Sequence, residues 1–148
     1  MTDTKETNPK DAFGVKKVSL SYVPTPVLLE MALGMQDGGG KYGRHNYRVI
    51  GVNGSVYYDA AIRHLMAWWE GEDIDADSGL SHITKAMTSL AVLRDAMIHG
   101  KFNDDRPPRS PDGWVGDLNK MAAEIVDRYP NHLAPYTEAE HGQKADKA

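Results

Sequence analysis

Residues Tyr57–His82 read YYDAAIRHLMAWWEGEDIDADSGLSH. Apolar side chains recur at helical spacing in the first part of this stretch, an acidic turn follows, and a second helix begins at its end. Two helices joined by so short a turn pack as an antiparallel hairpin. The stretch therefore predicts a helical hairpin at the centre of the chain, in which His82 approaches the first helix near the acidic turn.

The first helix of the hairpin, predicted over residues 55–70, has two different sides because successive residues turn by about 100°. One side is apolar and is expected to face a core; it consists of Tyr58, Ala61, Ile62, Leu65, Trp68 and Trp69. The opposite side consists of Asp59, Arg63, Met66 and Glu70. A surface ion pair between Asp59 and Arg63, and a hydrogen-bonded His64 at the edge of the core, would also explain the polar residues.

The turn between the two helices contains five carboxylates in eight residues, and these are Glu70, Glu72, Asp73, Asp75 and Asp77. Their mutual repulsion must be offset by solvent, by helix capping or by a cation, and hard divalent cations bind clusters of carboxylate oxygens. The order and spacing do not match an EF-hand loop. The alternative is that Asp77 or Ser78 caps the second helix, which is predicted to begin at Gly79.

The second helix, predicted over residues 79–97, has an apolar face formed by Leu80, Ile83, Met87, Leu90, Leu93 and Met97. Before the hairpin, a helix is predicted from Pro26, capped by Thr25, to Gln36. A fourth helix is predicted over residues 114–129. The segment Phe13–Val23 reads as a short strand or an extended lead-in. These elements predict an all-α fold, a small helical bundle built on the hairpin.

A run of glycines, residues 38–40, is expected to end the helix that begins at Pro26. A basic cluster follows it directly and contains Lys41, Arg44, His45 and Arg48. Glycines let backbone N–H groups approach oxygen anions, and cations neutralise those anions, so this composition is typical of a phosphate cradle. The segment matches neither the P-loop nor the dinucleotide fingerprint, and a flexible terminator followed by a solvated basic loop is the alternative.

The composition limits the class of protein. The chain has 148 residues, 41% of them hydrophobic, and a net charge of −4; it is long enough for one domain, and no nucleic-acid polymer is expected as a partner, because phosphate-backbone binding needs a basic excess. There is no cysteine, so a metal must be held by carboxylate and imidazole. No apolar run reaches membrane-spanning length, and a cytoplasmic location is expected. The predicted organisation is a flexible arm (1–12), a helical domain (13–135) and a disordered tail (136–148).

The run GGGKYGRHNYR, residues 38–48, together with residues 57–82, is similar to the N-terminal domain of phage dATP/dGTP diphosphohydrolases. The shared pattern is Lys-Tyr-Gly and Asn-aromatic, then Arg-His-Leu, Ala-Trp, Gly-Glu-Asp, Asp-x-x-Ser-Gly-Leu and His, and it covers about residues 18–93. Family members commonly carry a second histidine three residues after the first, where this chain has Lys85. The resemblance implies an enzyme related in activity to the all-helical MazG-type pyrophosphohydrolases, which use Mg²⁺ or Mn²⁺. The MazG carboxylate spacing is absent here, so MazG ligands are not carried over.

On this basis the leading hypothesis is metal-dependent hydrolysis of a purine deoxynucleoside triphosphate to monophosphate and pyrophosphate. The expected metal ligands are Asp59, Glu70, Glu72 and Asp75. His64 or His82 is expected to be a ligand or a proton acceptor. The residues expected to neutralise the leaving pyrophosphate are Lys41, Arg44 and Arg63, and those expected to face the base are Tyr42, Asn46 and Trp68.

Three other readings remain open. A phosphohydrolase of the HD type would also use a histidine-bearing helical hairpin, although the sequence has no adjacent His-Asp pair. A non-catalytic protein could sequester a purine nucleotide or a host signalling nucleotide in the same basic and aromatic pocket. A helical interaction module would use the acidic turn only as a solvated cap. Because one hairpin offers little area to enclose a triphosphate, a homo-oligomer is expected.

Overall fold

The structure is a computed structural model that describes residues 8–142. In chain order the elements are α1 (Pro9–Gly14), a 3-10 turn (Leu20–Tyr22), α2 (Thr25–Tyr42), α3 (Asn46–Val49), β1 (Val52–Asn53), α4 (Gly54–Trp69), α5 (His82–Ile98), β2 (Phe102–Asn103), α6 (Trp114–Asp127) and α7 (Glu138–His141). Helices dominate, and each strand has only two residues. The predicted all-α fold is therefore confirmed.

Helices α4 and α5 form the predicted antiparallel hairpin. At one end, β1 before α4 pairs in parallel with β2 after α5, with Val52 opposite Phe102. At the other end, an antiparallel bridge joins Ile74 to Ser81 across the acidic turn. The Ser81 hydroxyl oxygen accepts a hydrogen bond from the Ile83 N–H at 3.1 Å, so Ser81 caps α5. The start predicted at Gly79, with Asp77 or Ser78 as cap, was therefore three residues too early.

Helix α2 differs from its prediction at both ends. It continues through the three glycines to Tyr42 and ends at Gly43, whose φ of 92° lies in the region that favours glycine. Two interactions offset the low helix propensity of the glycines: an ion pair from Asp37 to Lys41 one turn later, at 3.0 Å, and packing against α5. At the start, the cap position is Pro24, and Thr25 is the first helical residue instead of the predicted cap.

The buried residues of the hairpin are mostly small, which differs in part from the predicted core faces: of the predicted α4 face Ala61 alone is buried, and of the predicted α5 face Leu80, Ile83, Met87 and Leu93 are half-buried. The buried set comprises Val52, Ala61, His82, Thr84, Ala86, Thr88, Val92 and Ala96. By contrast, Tyr58 and Trp69 are 62% and 79% exposed, and Leu90 is about half exposed. Small side chains let the helices approach closely, which leaves the larger apolar side chains on the outside. The hairpin thus carries large apolar side chains that α2, α3 and the two strands do not cover.

The ends of the chain add short helices. Asn8 caps α1 by accepting a hydrogen bond from the Lys10 N–H, and the strand proposed for Phe13–Val23 is wrong, since that segment contains the end of α1 and a 3-10 turn. The fourth helix is confirmed as α6, and α7 lies in the stretch predicted as a disordered tail. The rest of the predicted arm and tail, residues 1–7 and 143–148, lies outside the described residues.

The contacts group the chain into two compact units that divide after Arg106. The first contains the hairpin with α1, α2, α3 and the two strands, and the second contains α6 and α7. Within residues 8–142, no helix combines the length and the apolar composition that crossing a membrane requires.

The contact between α2 and α5 depends on Gly34. A Cβ at this position would overlap the Thr88 side chain, whose hydroxyl donates a 2.8 Å hydrogen bond to the Thr84 carbonyl. We expect Gly34→Ala to lower the free energy of unfolding by about 1–3 kcal/mol, the usual cost of overpacking a tight contact. Chemical denaturation monitored by circular dichroism measures this change in the free energy of unfolding.

The matched control is Gly38→Ala in the same helix, where an added Cβ meets nothing within 4 Å. It should raise the free energy of unfolding by about 0.5–1 kcal/mol, because alanine favours helix more than glycine does. Equal effects of the two substitutions would contradict the close approach at Gly34.

Candidate functional site

Two histidines meet at the acidic end of the hairpin. His64 lies in the last two turns of α4 and His82 is the first residue of α5, and their Nδ1 atoms are 2.8 Å apart. A hydrogen bond at this distance requires one Nδ1 to carry a proton and the other to accept it. His82 is 5% exposed, and its Nε2 is buried with no hydrogen-bond partner among the described residues. Glu72 Oε1 is 3.2 Å from that nitrogen but outside hydrogen-bonding geometry.

Asp75 completes a cluster with the two histidines. One ligand atom from each of His64, Asp75 and His82 lies within 4.8 Å of the others. The Ser78 hydroxyl and the Ser78 N–H donate to Asp75 Oδ2 at 2.6 and 3.1 Å. These bonds fold the turn back on itself, so Asp75 is held towards the histidines by its own segment.

The surroundings of the cluster shift the pKa values of two of its groups. Burial is the main cause that lowers the pKa of His64; the charge of Asp75 opposes this shift, and the charges of His82 and Lys85 add to it. The hydrogen bond from the Ser78 hydroxyl is the main cause that lowers the pKa of Asp75. A neutral imidazole and an ionised carboxylate are the forms in which these side chains bind cations.

The donor set fits a divalent metal ion. A buried imidazole nitrogen without a partner is costly unless something binds it, and His82 Nε2 is such an atom. Two imidazoles with one carboxylate suit Mn²⁺ better than Mg²⁺, because Mg²⁺ prefers oxygen ligands. Among residues 8–142, His64, Asp75 and His82 are the one group of three such side chains close enough to share an ion.

The remaining residues predicted as metal ligands lie apart from this cluster, except Glu72. Asp59 is exposed and lies five residues before His64, about 140° round the helix. Glu70 is the C-cap residue of α4. The structure thus brings together four of the six residues predicted as ligands or catalytic groups, and leaves Asp59 and Glu70 outside.

A pocket of about 590 Å³ lies between α2, the segment that follows it, and α5. Its volume is in the range of small-molecule sites. The polar and aromatic residues that line it are Gln36, Tyr42, Arg44, His45, Asn46, Tyr47, Tyr57, Lys85, Thr88 and Ser89. The described lining residues include no Asp or Glu. In a chain with 21 acidic residues, such a pocket is suited to an anion.

Three of the predicted substrate-binding residues, Tyr42, Arg44 and Asn46, line this pocket, and three do not. Lys41 instead forms ion pairs with Asp37 at 3.0 Å and with Asp77 at 2.6 Å. Trp68 packs beside Trp69, with ring centroids 6.2 Å apart. Arg63 is exposed.

Sequence reasoning missed Lys85, Tyr47 and Tyr57 as lining residues. Lys85 could have been found from its place three residues after His82, about one helical turn along the same helix. The two tyrosines carry no such local signal, because their position depends on the contacts of β1, α3 and α5.

The family model described as dATP/dGTP diphosphohydrolase, N-terminal, matches residues 7–106. The chain belongs to this family. The matched region contains both the His64–Asp75–His82 cluster and the pocket, and it ends where the first compact unit ends. A search of curated proteins and a search of solved structures each gave no match.

Calorimetric titration with Mn²⁺ tests whether the His64–Asp75–His82 cluster binds a metal ion. We expect the protein to bind the ion and His82→Asn to weaken binding at least tenfold, because even indirect partners of metal ligands typically contribute about 10–100-fold. His132→Asn, a change of an exposed histidine in the second unit, is the control. Unchanged affinity in a folded His82→Asn variant would contradict the assignment.

Proposed function

We propose that the protein hydrolyses a purine deoxynucleoside triphosphate, dATP or dGTP, to the monophosphate and pyrophosphate with a divalent metal ion. The observation that supports this most is that α5 carries both His82 of the His64–Asp75–His82 cluster and, one turn later, Lys85 of an anion-suited pocket without carboxylates among its described lining residues. The family to which the chain belongs is named for hydrolysis of the same nucleotides. The proposed location is the cytoplasm, where free nucleotides are present.

In the proposed reaction, the oxygen of water bonds to the α-phosphorus and the bond from that phosphorus to the bridging oxygen breaks. His64, Asp75 and His82 would hold the metal ion, either Mn²⁺ or Mg²⁺, with the donor set favouring Mn²⁺. A bound divalent ion supplies charge neutralisation and acidifies water. Glu72, whose carboxylate is 3.2 Å from His82 Nε2 and mostly exposed, accepts the proton of the attacking water.

The pocket supplies binding and orientation. Arg44 neutralises phosphate charge, Asn46 offers an amide that hydrogen-bonds the edge of the base, and Tyr42 offers an aromatic face. Phosphate transfer needs little covalent help from protein, so positioning and neutralisation are the main tasks of these residues. The proposed reaction uses neither the predicted substrate-binding roles of Lys41, Arg63 and Trp68 nor the predicted metal roles of Asp59 and Glu70.

A panel of nucleoside triphosphates with Mn²⁺ or Mg²⁺, resolved by chromatography, tests the reaction. We expect monophosphate and pyrophosphate from dATP or dGTP. Glu72→Gln should lower kcat by about 10²–10⁴-fold, the usual contribution of a general base, and leave nucleotide affinity unchanged. Asp59→Asn should leave kcat within a few-fold of the unsubstituted protein.

Glu124→Gln in α6 is the control for the loss of one negative charge. Nucleoside and inorganic triphosphate as products would indicate chemistry of the HD type instead. Binding without turnover would indicate a sequestering protein. Loss of turnover in Asp59→Asn but not in Glu72→Gln would move the metal site away from His64 and His82.

We also propose that the protein is a homo-oligomer. Apolar side chains of α4 that the other elements of the first unit leave exposed support this, and they include Tyr58, Ile62, Leu65, Met66 and Trp69. Single exposed apolar residues are ordinary, but a row along one helix is typical of an interface. A second copy of the same surface would bury these side chains with a self-complementary contact.

Light scattering at micromolar concentration should therefore give at least twice the monomer mass of 16.3 kDa. Leu65→Lys should reduce the mass to that of the monomer while the helical circular dichroism persists. Val18→Lys, at a position 95% exposed outside the helices, is the control and should change nothing. A monomeric unsubstituted protein would overturn the proposal.

A further inference from the structure

Among the charged residues that line the pocket, Lys85 is the nearest in sequence to His82 of the His64–Asp75–His82 cluster. It follows His82 by three residues on α5, about 4.5 Å along the helix axis. Its side chain is only 16% exposed, and its ammonium nitrogen is 3.0 Å from Asp37 Oδ2. Lys85 also lines the pocket, whereas Asp37 does not. Lys85 is therefore a pocket residue whose ammonium is held by a carboxylate of a residue that does not line the pocket.

Asp37 belongs to a chain of alternating charges that links α2 with α5 and the acidic turn. The chain runs from Lys85 to Asp37, from Asp37 to Lys41 at 3.0 Å, and from Lys41 to Asp77 at 2.6 Å. Hydrogen bonds from the two lysines, first Lys85 and then Lys41, lower the pKa of Asp37. Because Lys41 stays beside Asp37, that carboxylate keeps a counter-ion when Lys85 turns towards a ligand.

The pocket changes character along α5. Lys85 is at the end nearer the histidines, the hydroxyls of Thr88 and Ser89 come next, and Val92 lies about 10 Å beyond Lys85. Val92 belongs to the apolar cluster against which Tyr47 and Tyr57 pack. Along α5 the pocket therefore runs from Lys85, one turn from His82, to the apolar cluster on which Tyr47 and Tyr57 pack.

We propose that Lys85 binds the triphosphate group and thereby fixes the direction in which a nucleotide occupies the pocket. The phosphates lie at the Lys85 end, next to the His64–Asp75–His82 cluster, and the base lies at the end formed by Tyr47 and Tyr57. This inference rests on the proposed function for the identity of the ligand as a nucleoside triphosphate. Asp37 holds the ammonium in place in the absence of ligand and competes with the phosphates for it.

Calorimetry without divalent metal separates this role from the metal cluster. The probes are dATP, dGTP, their nucleosides and inorganic tripolyphosphate. Lys85→Met should weaken binding of the triphosphates and of tripolyphosphate at least tenfold and change nucleoside affinity less than twofold. Lys85→Arg, which keeps the charge, should restore most of the loss. Tyr47→Leu should weaken nucleoside and triphosphate binding alike and leave tripolyphosphate binding unchanged.

Two further variants complete the test. Asp37→Asn removes the competing carboxylate and should tighten tripolyphosphate binding, which keeps the proposal testable if Lys85→Met does not fold. Lys120→Met in α6, an equal loss of charge outside the pocket, should change nothing. Equal weakening of nucleoside and triphosphate by Lys85→Met, or tripolyphosphate binding unaffected by both Lys85→Met and Asp37→Asn, would overturn the role of Lys85.

The test of Lys85 and the test of the proposed hydrolysis can fail independently of each other. Selective loss of triphosphate binding in Lys85→Met, in a protein that turns over no nucleotide, would support the binding role and reject the hydrolase. Turnover with triphosphate affinity unaffected by Lys85→Met would support the hydrolase and reject the role of Lys85.

Discussion

Close packing of α2 against α5 at Gly34 and Thr88 is the contact on which the rest of the first unit depends. Because glycine has no side chain there, the two backbones approach until the Thr88 hydroxyl fills the space that a Cβ would take. This brings Asp37, one turn further along α2, within 3.0 Å of the Lys85 ammonium. A larger residue at position 34 would push the helices apart, and the charge chain and the pocket between the helices would be lost together.

The continuation of α2 through its three glycines also shapes the pocket. Had the helix ended at Gln36, as the glycine run suggests, the following segment would have left α5 much earlier. Instead α2 ends at Gly43, and the left-handed conformation of His45, with φ 65°, turns the chain back into α3. This turn places Arg44, Asn46 and Tyr47 on the wall of the pocket. Glycine thus has two roles in α2. Gly34 permits close contact with α5 inside the helix, and Gly43 permits the positive φ at which the helix ends.

The sequence predicted the hairpin and the approach of His82 to the first helix near the acidic turn, because both follow from local periodicity and a short turn; that the partner of His82 is His64 came from the structure. The sequence could not predict which face of each helix is buried. Amphipathicity identifies an apolar side, but the described core uses small residues such as Ala61 and Ala96, and the large ones remain outside. The local sequence also could not show which carboxylate of the acidic turn approaches the histidines. The density of acidic residues marks the turn, but the position of Asp75 depends on its hydrogen bond with Ser78.

The positions of the acidic residues explain how a chain with a net negative charge can offer a site to a highly charged anion. The carboxylates of the turn are not spread round the pocket; Asp75 faces the histidines, Glu72 lies beside His82, and Asp77 is bound by Lys41. Asp37 is likewise held between two lysines. Asp37 and Asp77 are paired with lysines, and Asp75 and Glu72 lie at the histidines, so none of these carboxylates lines the pocket, whose lining carries Arg44 and Lys85. Charge placement, more than charge total, therefore decides what this surface can bind.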